Sequence, residues 1–410
     1  MTAVVLLGTL DTKGEACAYV RDRLREHGCE VLTVDIGVMG RPAWAADVPR
    51  ERVAAAAGAE LETLVRAHDR GAAIATMGRG AAALVRRLFE DGAFTAALAL
   101  GGSGGASVAS QALAALPLGV PKLIVSTVAS GDTRPYIGGA DIALLPPVVD
   151  LAGVNPISAR VLHNAAAAVA GMARAPFDAS APSGPLVALT MFGITTPCVE
   201  AVRGRLDERG YVPLVFSANG VGGDTMEALI ADGSIAGVAD VTTTELADAL
   251  VGGILAAGER RLEGAGAAGI PQVVSLGALD VVNFGPWETV PERFRGRRLH
   301  RHNPNVTLMR TTPEECTALG RTLAAKLNAG HGPRCLVVPL RGLSALSGPG
   351  GPFHDPVADR ALVDALRAGL SSDVKLIELD YHINDRAFAF ALADRFEAVF
   401  ASSHKESMTQ

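Results

Sequence analysis

Short apolar runs alternate with helical patterns along the whole chain, and loops rich in Gly, Ser, Thr and Asp join them. This alternation constrains the fold most, because neighbouring parallel strands need a crossover between them, usually a helix. The rhythm therefore predicts an α/β fold with mostly parallel sheets. Strands are predicted at residues 4–7, 31–36, 96–100, 123–126, 186–191, 213–216, 237–241, 273–276, 336–339 and 375–379.

A segment rich in proline divides this pattern in two. Residues 174–185 contain three prolines and mostly small residues, which is typical of a linker. After it, residues 186–197 repeat the strand, loop and helix start of residues 4–15. We therefore expect two tandem doubly wound, Rossmann-like domains over residues 1–178 and 185–410. Each should carry its site outside the carboxyl ends of its strands.

Composition and charge exclude several classes of protein. The 410 residues are 49% hydrophobic but only 4% aromatic, so Ala, Val and Leu must fill the cores. A net charge of -6 gives no general attraction to nucleic acid or anionic lipid, and we expect neither as a partner. Five cysteines without a CxxC pair favour a reducing, cytoplasmic setting. No apolar run approaches the roughly 18 residues of a membrane span.

The loop after the first predicted strand has the chemistry of a phosphate site. Its candidate binding residues are Gly8, Thr9, Asp11, Thr12 and Lys13. Thr12 and Glu15 have the spacing of a capping box, which predicts a helix that begins at Thr12 with its free N–H groups toward the loop. The loop matches neither the Walker A motif nor the dinucleotide GxGxxG motif. A capped turn that binds nothing explains the pattern equally well.

Three further strand ends could contribute to the same site. Glycine-rich backbone can approach a phosphate closely, and an acid at the end of the second strand often binds a ribose hydroxyl. The alternative for the glycines is a tight connection that allows close helix packing. These candidates are Asp35 after the second strand, then Gly101, Gly102, Ser103, Gly104 and Gly105, and finally Thr127, Ser130, Gly131 and Asp132. A further loop at residues 76–80 supplies Arg79, either as an anion clamp or as a solvated surface arginine.

In the second half, titratable residues follow the strands instead of glycines. The catalytic candidates are His382, Glu245, Asp280 and His302. Asp385 is placed to fix the tautomer of His382, although a histidine near a helix start is often structural. Capping explains most of the pattern around Glu245, and the segment around Asp280 reads as too polar for the interior. The basic stretch around His302 either binds an anion or is a solvated edge. Residues 355–356 read as a helix start, and Cys198 as a buried small residue.

Several motifs in this order resemble one known family. The motifs are GTLDTKGE, GGSGGAS, DVTTTEL, LDVVNFGP and YHINDRAFA, and they span nearly the whole chain. They are similar to the nucleotide-binding amino-terminal region of the tomato mosaic virus resistance protein and its bacterial relatives. The resemblance implies ATP with Mg²⁺ in the first domain, on the loops at 8–13, 101–105 and 126–132. Ser217 and Asn219 depart from it, because the family usually has His and Thr there.

These observations together predict an ATP-binding protein. One hypothesis is an ATP- and Mg²⁺-dependent transferase or ligase that acts on a small acidic metabolite in a cleft between the domains. A second is a binding protein without catalysis that responds to nucleotide, and a third is an enzyme that uses a phosphate- or carboxylate-bearing metabolite without ATP. The apolar composition makes a homo-oligomer plausible. The sequence identifies neither the metal ligands nor the substrate.

Overall fold

The computed structural model describes residues 2–176 and 183–407. The centre of the predicted linker, residues 177–182, lies outside the described residues. The chain divides into two compact units, Met1–Ala179 and Ser180–Gln410. Both contain a parallel sheet covered by helices on its two faces, which confirms the predicted α/β fold.

The first unit is built on a five-stranded parallel sheet with the order β2-β1-β3-β4-β5. Its strands are β1 (Ala3–Gly8), β2 (Glu30–Asp35), β3 (Ala96–Leu100), β4 (Lys122–Val125) and β5 (Ala143–Leu145). The first four lie within a residue of their predicted bounds, because strands buried on both faces show as continuous apolar runs. The fifth, a short edge strand, was not predicted.

Helices cover both faces of this sheet. They are α1 (Leu10–Glu26), α2 (Arg50–Ala56), α3 (Leu61–Ala67), α4 (Arg70–Glu90), α5 (Ser103–Ala114), α6 (Arg134–Ile137) and α7 (Pro156–Met172). Helices α1 and α7 pack with Val4, Leu6 and Leu98 on one face, whereas α4 and α5 pack on the other with Val5, Leu7 and Ala99. Helices after the adjacent strands β1 and β3 thus lie on opposite faces.

Residues 76–80 form part of α4, so the prediction of a loop there was wrong, whereas Arg79 is a surface arginine, which is one of its two predicted alternatives. Arg79 is exposed on the helix and donates to the hydroxyl of Thr76. The glycines that suggested a loop serve close packing instead. A Cβ on Gly80 would lie 2.0 Å from the carbonyl oxygen of Val53, so α2 can approach α4 only over a glycine.

The second unit has a six-stranded parallel sheet and a separate small antiparallel one. The order of the large sheet is β14-β13-β9-β8-β6-β7. Its strands are β6 (Leu186–Met191), β7 (Val212–Ser217), β8 (Gly237–Thr242), β9 (Gln272–Gly277), β13 (Arg334–Pro339) and β14 (Lys375–Leu379). All six were predicted within two residues at either end.

The helices of the second unit also cover two faces. They are α8 (Thr196–Asp207), α9 (Val221–Ala231), α10 (Thr244–Val251), α11 (Gly264–Ala268), α12 (Pro313–Ala329), α13 (Pro356–Gly369) and α14 (Arg386–Ser407). Helices α8 and α14 cover one face with Cys198, Phe388 and Phe396, while α10, α12 and α13 cover the other. Asp355 caps α13 as predicted, because its carboxylate accepts from the N–H of Ala358.

The small antiparallel sheet was not predicted. It has the order β10-β12-β11, with β10 (Val281–Phe284), β11 (Leu299–Asn303) and β12 (Val306–Arg310). Asp280 and Asn283 are both fully buried here, so the expectation that this segment is too polar for the interior was wrong. Among the described residues, no helix combines the length and apolarity needed to cross a membrane.

Candidate functional site

The strand order of the first unit creates a crevice between β1 and β3. Helix α1 leaves β1 toward one face of the sheet and α5 leaves β3 toward the other. Ligands in open parallel sheets bind at such a topological switch point, outside the carboxyl ends of the strands. A cavity of about 530 Å³ lies there. It is lined by Thr9, Asp11, Thr12, Lys13, Ile36, Gly37, Val38, Met39, Leu64, His68, Asp69, Arg70, Ala73, Ile74, Gly102, Ser103, Gly104, Gly105 and Val108.

At the α1 side of the cavity, a carboxylate of the protein itself takes the place that a bound anion would occupy. The buried carboxylate of Asp35 accepts from the N–H of Leu10 at 3.1 Å and from that of Gly37 at 2.9 Å. Burial raises the pKa of Asp35, and the hydrogen bonds from the two backbone amides oppose that rise. Asp35 does not line the cavity, and its carboxylate instead holds the start of α1 against the end of β2.

The capping box predicted at Thr12 is absent from this stretch. Helix α1 begins at Leu10 and is interrupted by non-helical angles at Lys13. The Glu15 carboxylate accepts from the N–H of Val154, and the Thr12 hydroxyl bonds to that of Thr9 at 2.8 Å. The hydroxyls of Thr9 and Thr12 therefore belong to the cavity wall and not to a helix cap.

At the α5 side, by contrast, the helix N-terminus carries no capping side chain. Its N-cap is Gly102, and Ser103, Gly104 and Gly105 form the first turn along the cavity wall. The first N–H groups of a helix have no intrahelical partner and sit at the positive end of the dipole. A Cβ on Gly102 would meet no atom within 4 Å, so the chain leaves open space in front of this turn.

The other glycines of this loop permit close approach within the protein. A Cβ on Gly101 would lie 2.8 Å from the backbone of Gly105, and one on Gly105 would lie 3.2 Å from the Thr9 methyl group. Gly101 thus lets its loop lie close to the first turn of α5, and Gly105 lets this turn lie close to the loop after β1. The two loops chosen from the sequence do come together at one cavity.

Two cations line the cavity, and sequence reasoning found one of them. The Lys13 ammonium lies 2.8 Å from the Asp150 carboxylate, which is 69% exposed, and this pair lowers the pKa of Asp150. Arg70 is exposed at the start of α4 and forms no ion pair or hydrogen bond with any residue that the structure describes. One feature of the sequence could have pointed to Arg70, because this residue directly follows Asp69, whose carboxylate caps the start of α4.

Asp11 lines the cavity with a carboxylate that has one buried oxygen without a partner. Its Oδ2 accepts from the N–H groups of Met39 and Gly40 at 3.2 and 3.0 Å. Its Oδ1 is buried and has no hydrogen-bond partner. Within the described ranges, no three His, Cys, Asp or Glu side chains gather in a way that could hold a metal ion by themselves.

Several predicted binding residues lie outside this cavity. Gly8 ends β1, and a Cβ there would clash with the Sγ of Cys17 at 2.2 Å, so it is a packing glycine. The residues Thr127, Ser130, Gly131 and Asp132 are not among those that line the cavity. The Asp132 carboxylate instead accepts two hydrogen bonds from the Arg134 guanidinium and one from its backbone N–H, and this pairing lowers the pKa of Asp132.

In the second unit, the position between β6 and β8 is occupied by the side chains of the protein itself. The hydroxyls of Thr195 and Thr242 bond to each other at 2.7 Å across this position. Beside them, the fully buried Arg261 donates two hydrogen bonds to Asp240, at 2.6 and 2.9 Å, and one to Glu245 at 2.6 Å. All three charged groups are between 0% and 1% exposed.

Glu245, a predicted catalytic residue, is part of this buried network. Its Oε1 accepts from the N–H groups of Gly220 and Gly223 at the start of α9, which is where a bound phosphate would otherwise sit. Burial raises the pKa of Glu245, while Arg261 acts in the opposite direction. Its observed contacts therefore stabilise the fold, and its side chain is fully buried.

Asp280 and His382 are brought near each other through Ser344. The Ser344 hydroxyl donates to Asp280 at 2.6 Å, and the Ser344 carbonyl lies 2.9 Å from His382 Nε2. His382 Nδ1 accepts from the N–H of Asn384, so Nε2 must carry the proton. The prediction that Asp385 fixes this tautomer was wrong, because its carboxylate accepts from the His382 backbone N–H instead. Both ring nitrogens of His382 thus form hydrogen bonds with backbone groups.

His302 is exposed on β11, apart from the residues just described. The basic stretch around it is largely neutralised within the unit. Arg297 forms a two-point pair with Glu315, and Arg310 binds Asp359 and the carbonyl of Phe353. Cys198 is buried as predicted, and burial raises the pKa of its thiol to about 12.

These features define a two-unit α/β protein with an open cavity at the switch point of its first sheet. The chain belongs to the uncharacterised protein family UPF0261, whose N-terminal domain matches residues 2–178 and whose C-terminal domain matches residues 184–400. A UPF0261 protein of Clostridium tetani is 45% identical over 96% of this chain and 97% of its own. A UPF0261 protein of Rhizobium meliloti is 46% identical over 95% of this chain and 97% of its own.

A plant protein is similar over the same length. The ToMV resistance protein Tm-1 of Solanum lycopersicum is 41% identical over 96% of this chain, which spans 55% of the tomato protein. The resemblance drawn from the motifs therefore identified the correct family. None of these names states a ligand or a reaction.

Proposed function

We propose that the first unit binds ATP, together with Mg²⁺, in the cavity between β1 and β3. The observation that carries this proposal is the uncapped N-terminus of α5, which lies in the cavity wall beside two cations. Helix α1 lacks such an opening, because Asp35 already occupies its first amide. The open helix N-terminus for a phosphate group in this crevice is therefore that of α5, at Ser103, Gly104 and Gly105.

The charges of the lining residues fit a polyphosphate held chiefly by backbone amides. Lys13 and Arg70 are balanced by Asp11 and Asp69, so side chains alone offer no excess of positive charge. The free Arg70 guanidinium lies close to the α5 turn, since a Cβ on Gly104 would be 3.3 Å from it. Arginine binds phosphate through a planar fork of N–H groups, which suits this position.

An apolar wall is available for a nucleobase. Val38, Met39, Leu64 and Ile74 line the cavity, and Met39 is 59% exposed. The volume of about 530 Å³ falls in the range of small-molecule sites, which is about 300–1,000 Å³. An apolar surface beside a helix N-terminus matches the two chemical halves of a nucleotide.

Mg²⁺ fits this site as an ion that arrives with the phosphates. Proteins usually hold Mg²⁺ through one or two carboxylates plus substrate phosphates and water. Asp11 is the residue that would contribute, because its Oδ1 is buried and without a partner. The ion would neutralise phosphate charge that the balanced side chains leave uncompensated.

The contacts of the second unit favour a nucleotide-responsive binding protein over an ATP-dependent transferase or ligase. Three of the four residues expected to do chemistry on a small acidic metabolite, Glu245, Asp280 and His382, are engaged in internal hydrogen bonds, and the fourth, His302, is exposed on β11. If turnover of ATP proves slow while ATP raises the melting temperature, ligand binding is the function that remains.

Calorimetry with Mg·ATP on the parent protein and three variants tests the binding proposal. Gly102→Asp places a carboxylate at the N-cap of α5, where Asp is itself a favourable residue and no atom blocks its Cβ. We expect this variant to fold normally and to lose ATP binding, because the new carboxylate competes with phosphate for the same amides. Arg70→Gln should weaken binding by about tenfold, the worth of one charge-assisted contact.

Gly204→Asp is the matched control, because Gly204 is exposed in α8 and its Cβ would also meet no atom within 4 Å. It should bind ATP like the parent protein. Equal ATP affinity in Gly102→Asp and the parent would refute the α5 site, and absence of binding in the parent at millimolar Mg·ATP would refute the proposal itself.

A further inference from the structure

A second cavity, of about 440 Å³, opens in the second unit at the carboxyl end of β13. The loop after β13 forms one wall, and a single face of α13 forms the other. That face carries Pro356, Arg360, Val363 and Arg367, which are spaced three or four residues apart and so lie in one row. This cavity has no part in the nucleotide site proposed above.

Most of the charges in this cavity are already paired. Arg341 donates to both oxygens of Asp380, and Arg367 does the same to Glu378. The Asp359 carboxylate accepts from Arg310. These pairs form a polar rim whose positive and negative charges cancel, so they do not by themselves attract an anion.

Arg360 is the exception. It is exposed in the α13 wall, and no residue that the structure describes forms an ion pair or hydrogen bond with it. Its full set of five N–H donors is therefore free to bind a carboxylate in the two-point manner that arginine favours. Arg341 adds a free Nη1 group, since its two hydrogen bonds to Asp380 use Nε and Nη2.

The remaining walls are mainly apolar. Pro339, Leu343, Pro349 and Val363 line the cavity, and Leu340 contributes a side chain that is 44% exposed. An exposed leucine beside an unpaired arginine suits a ligand with a hydrocarbon body and one anionic end. A bare phosphate ion would leave these apolar walls unfilled.

We infer that this cavity binds a small organic acid with an apolar body, and that its carboxylate pairs with Arg360. This site is separate from the ATP site and does not depend on it. The hydrocarbon part of the acid lies against Leu340, Leu343 and Val363, while the arginine–carboxylate pairs of the rim stay in place.

Calorimetry with hexanoate as the probe tests the inference, with inorganic phosphate and hexanamide as comparators. We expect hexanoate to bind the full chain and neither comparator to bind comparably, because phosphate lacks the body and the amide lacks the charge. Arg360→Gln should weaken hexanoate binding about tenfold. Since Arg360 has no partner in the structure, this substitution should leave the melting temperature unchanged.

Arg321→Gln is the matched control, because Arg321 is an exposed arginine of α12 that also lacks a partner among the described residues. It should bind hexanoate like the parent. The inference is overturned if hexanoate does not bind at millimolar concentration, if Arg360→Gln binds it as tightly as Arg321→Gln does, or if phosphate binds as well as hexanoate.

Discussion

The buried network around Arg261 gives the sharpest prediction on stability. Replacing Arg261 by Met keeps much of the volume of the side chain but removes the positive charge that holds Asp240 and Glu245 at 2.6 Å. Both carboxylates are 0% exposed, so no water can replace the lost partner. Removing one member of a buried ion pair typically costs about 3–5 kcal/mol.

A cost of that size should be visible in urea unfolding. With a slope of about 2 kcal/mol per molar urea, the midpoint of the second unit falls by about 1.5–2.5 M. The chain has two tryptophans, Trp44 in the first unit and Trp287 in the second. Fluorescence in a Trp44→Phe background therefore reports on the second unit alone.

The loss should also depend on pH. Burial already raises the pKa of Glu245, and without Arg261 the charge that opposes this rise is lost, so its pKa lies further above that of the unfolded chain. A carboxyl with a raised pKa in the folded state destabilises that state progressively as pH rises above the unfolded value. Arg261→Met is therefore expected to be most destabilised at mildly alkaline pH and least at mildly acidic pH.

Arg203→Met provides the comparison, because Arg203 forms an exposed pair with Glu200 in the same unit. Such pairs contribute about 0–1 kcal/mol. A loss for Arg261→Met no larger than that of Arg203→Met, or a loss independent of pH, would show that the network does not carry the stability assigned to it.

Three further predictions concern packing and protonation. Gly80→Ala should destabilise the first unit by about 1–3 kcal/mol and lower its melting temperature, because the new Cβ would lie 2.0 Å from the Val53 carbonyl oxygen. Gly71→Ala on the same helix is the control and should leave the melting temperature unchanged, because its Cβ would meet no atom closer than 3.4 Å. Burial raises the pKa of Asp248 from 3.8 to about 7, so its contribution to stability falls as pH rises between these values. Urea unfolding of Asp248→Asn should show a shallower pH dependence there. All five cysteines are buried, and Cys198 has a pKa of about 12, so a chromogenic thiol reagent should detect thiols only after denaturation.

The large sheets could be predicted because their strands are buried on both faces. A run such as AALAL in β3 has no polar face, and glycine follows it at the site edge. The small antiparallel sheet gave no such signal. Its strand β11 reads LHRHN and is mostly exposed, and β10 buries Asn283 because the Asp248 carboxylate accepts from its side-chain amide.

The candidate site was predicted in part for a similar reason. The loops at Thr9–Lys13 and Gly102–Gly105 meet because they follow adjacent strands, and strand adjacency could be inferred from the fold class. The capping box at Thr12 failed because a tertiary contact, Glu15 with Val154, replaced the local one. Arg70 was missed because the start of α4 reaches the cavity only through the packing of α4 on α5.

The predicted catalytic residues show what a sequence pattern leaves undetermined. Glu245, Asp280 and His382 follow strands at the expected edge of the sheet, as catalytic residues often do. Their partners, Arg261 and Ser344, lie 16 and 38–64 residues away in sequence and could not be paired with them in advance. Polar residues at strand ends serve the fold whenever such partners neutralise them.

The most direct test of the nucleotide proposal is a crystal structure of the full chain with Mg²⁺ and a non-hydrolysable ATP analogue. The proposal predicts a phosphate group within hydrogen-bond distance of the amides of Ser103, Gly104 and Gly105, with Arg70 beside it and the base against Val38 and Met39. An analogue bound elsewhere, or a switch-point cavity that stays free of nucleotide under saturating conditions, would contradict it.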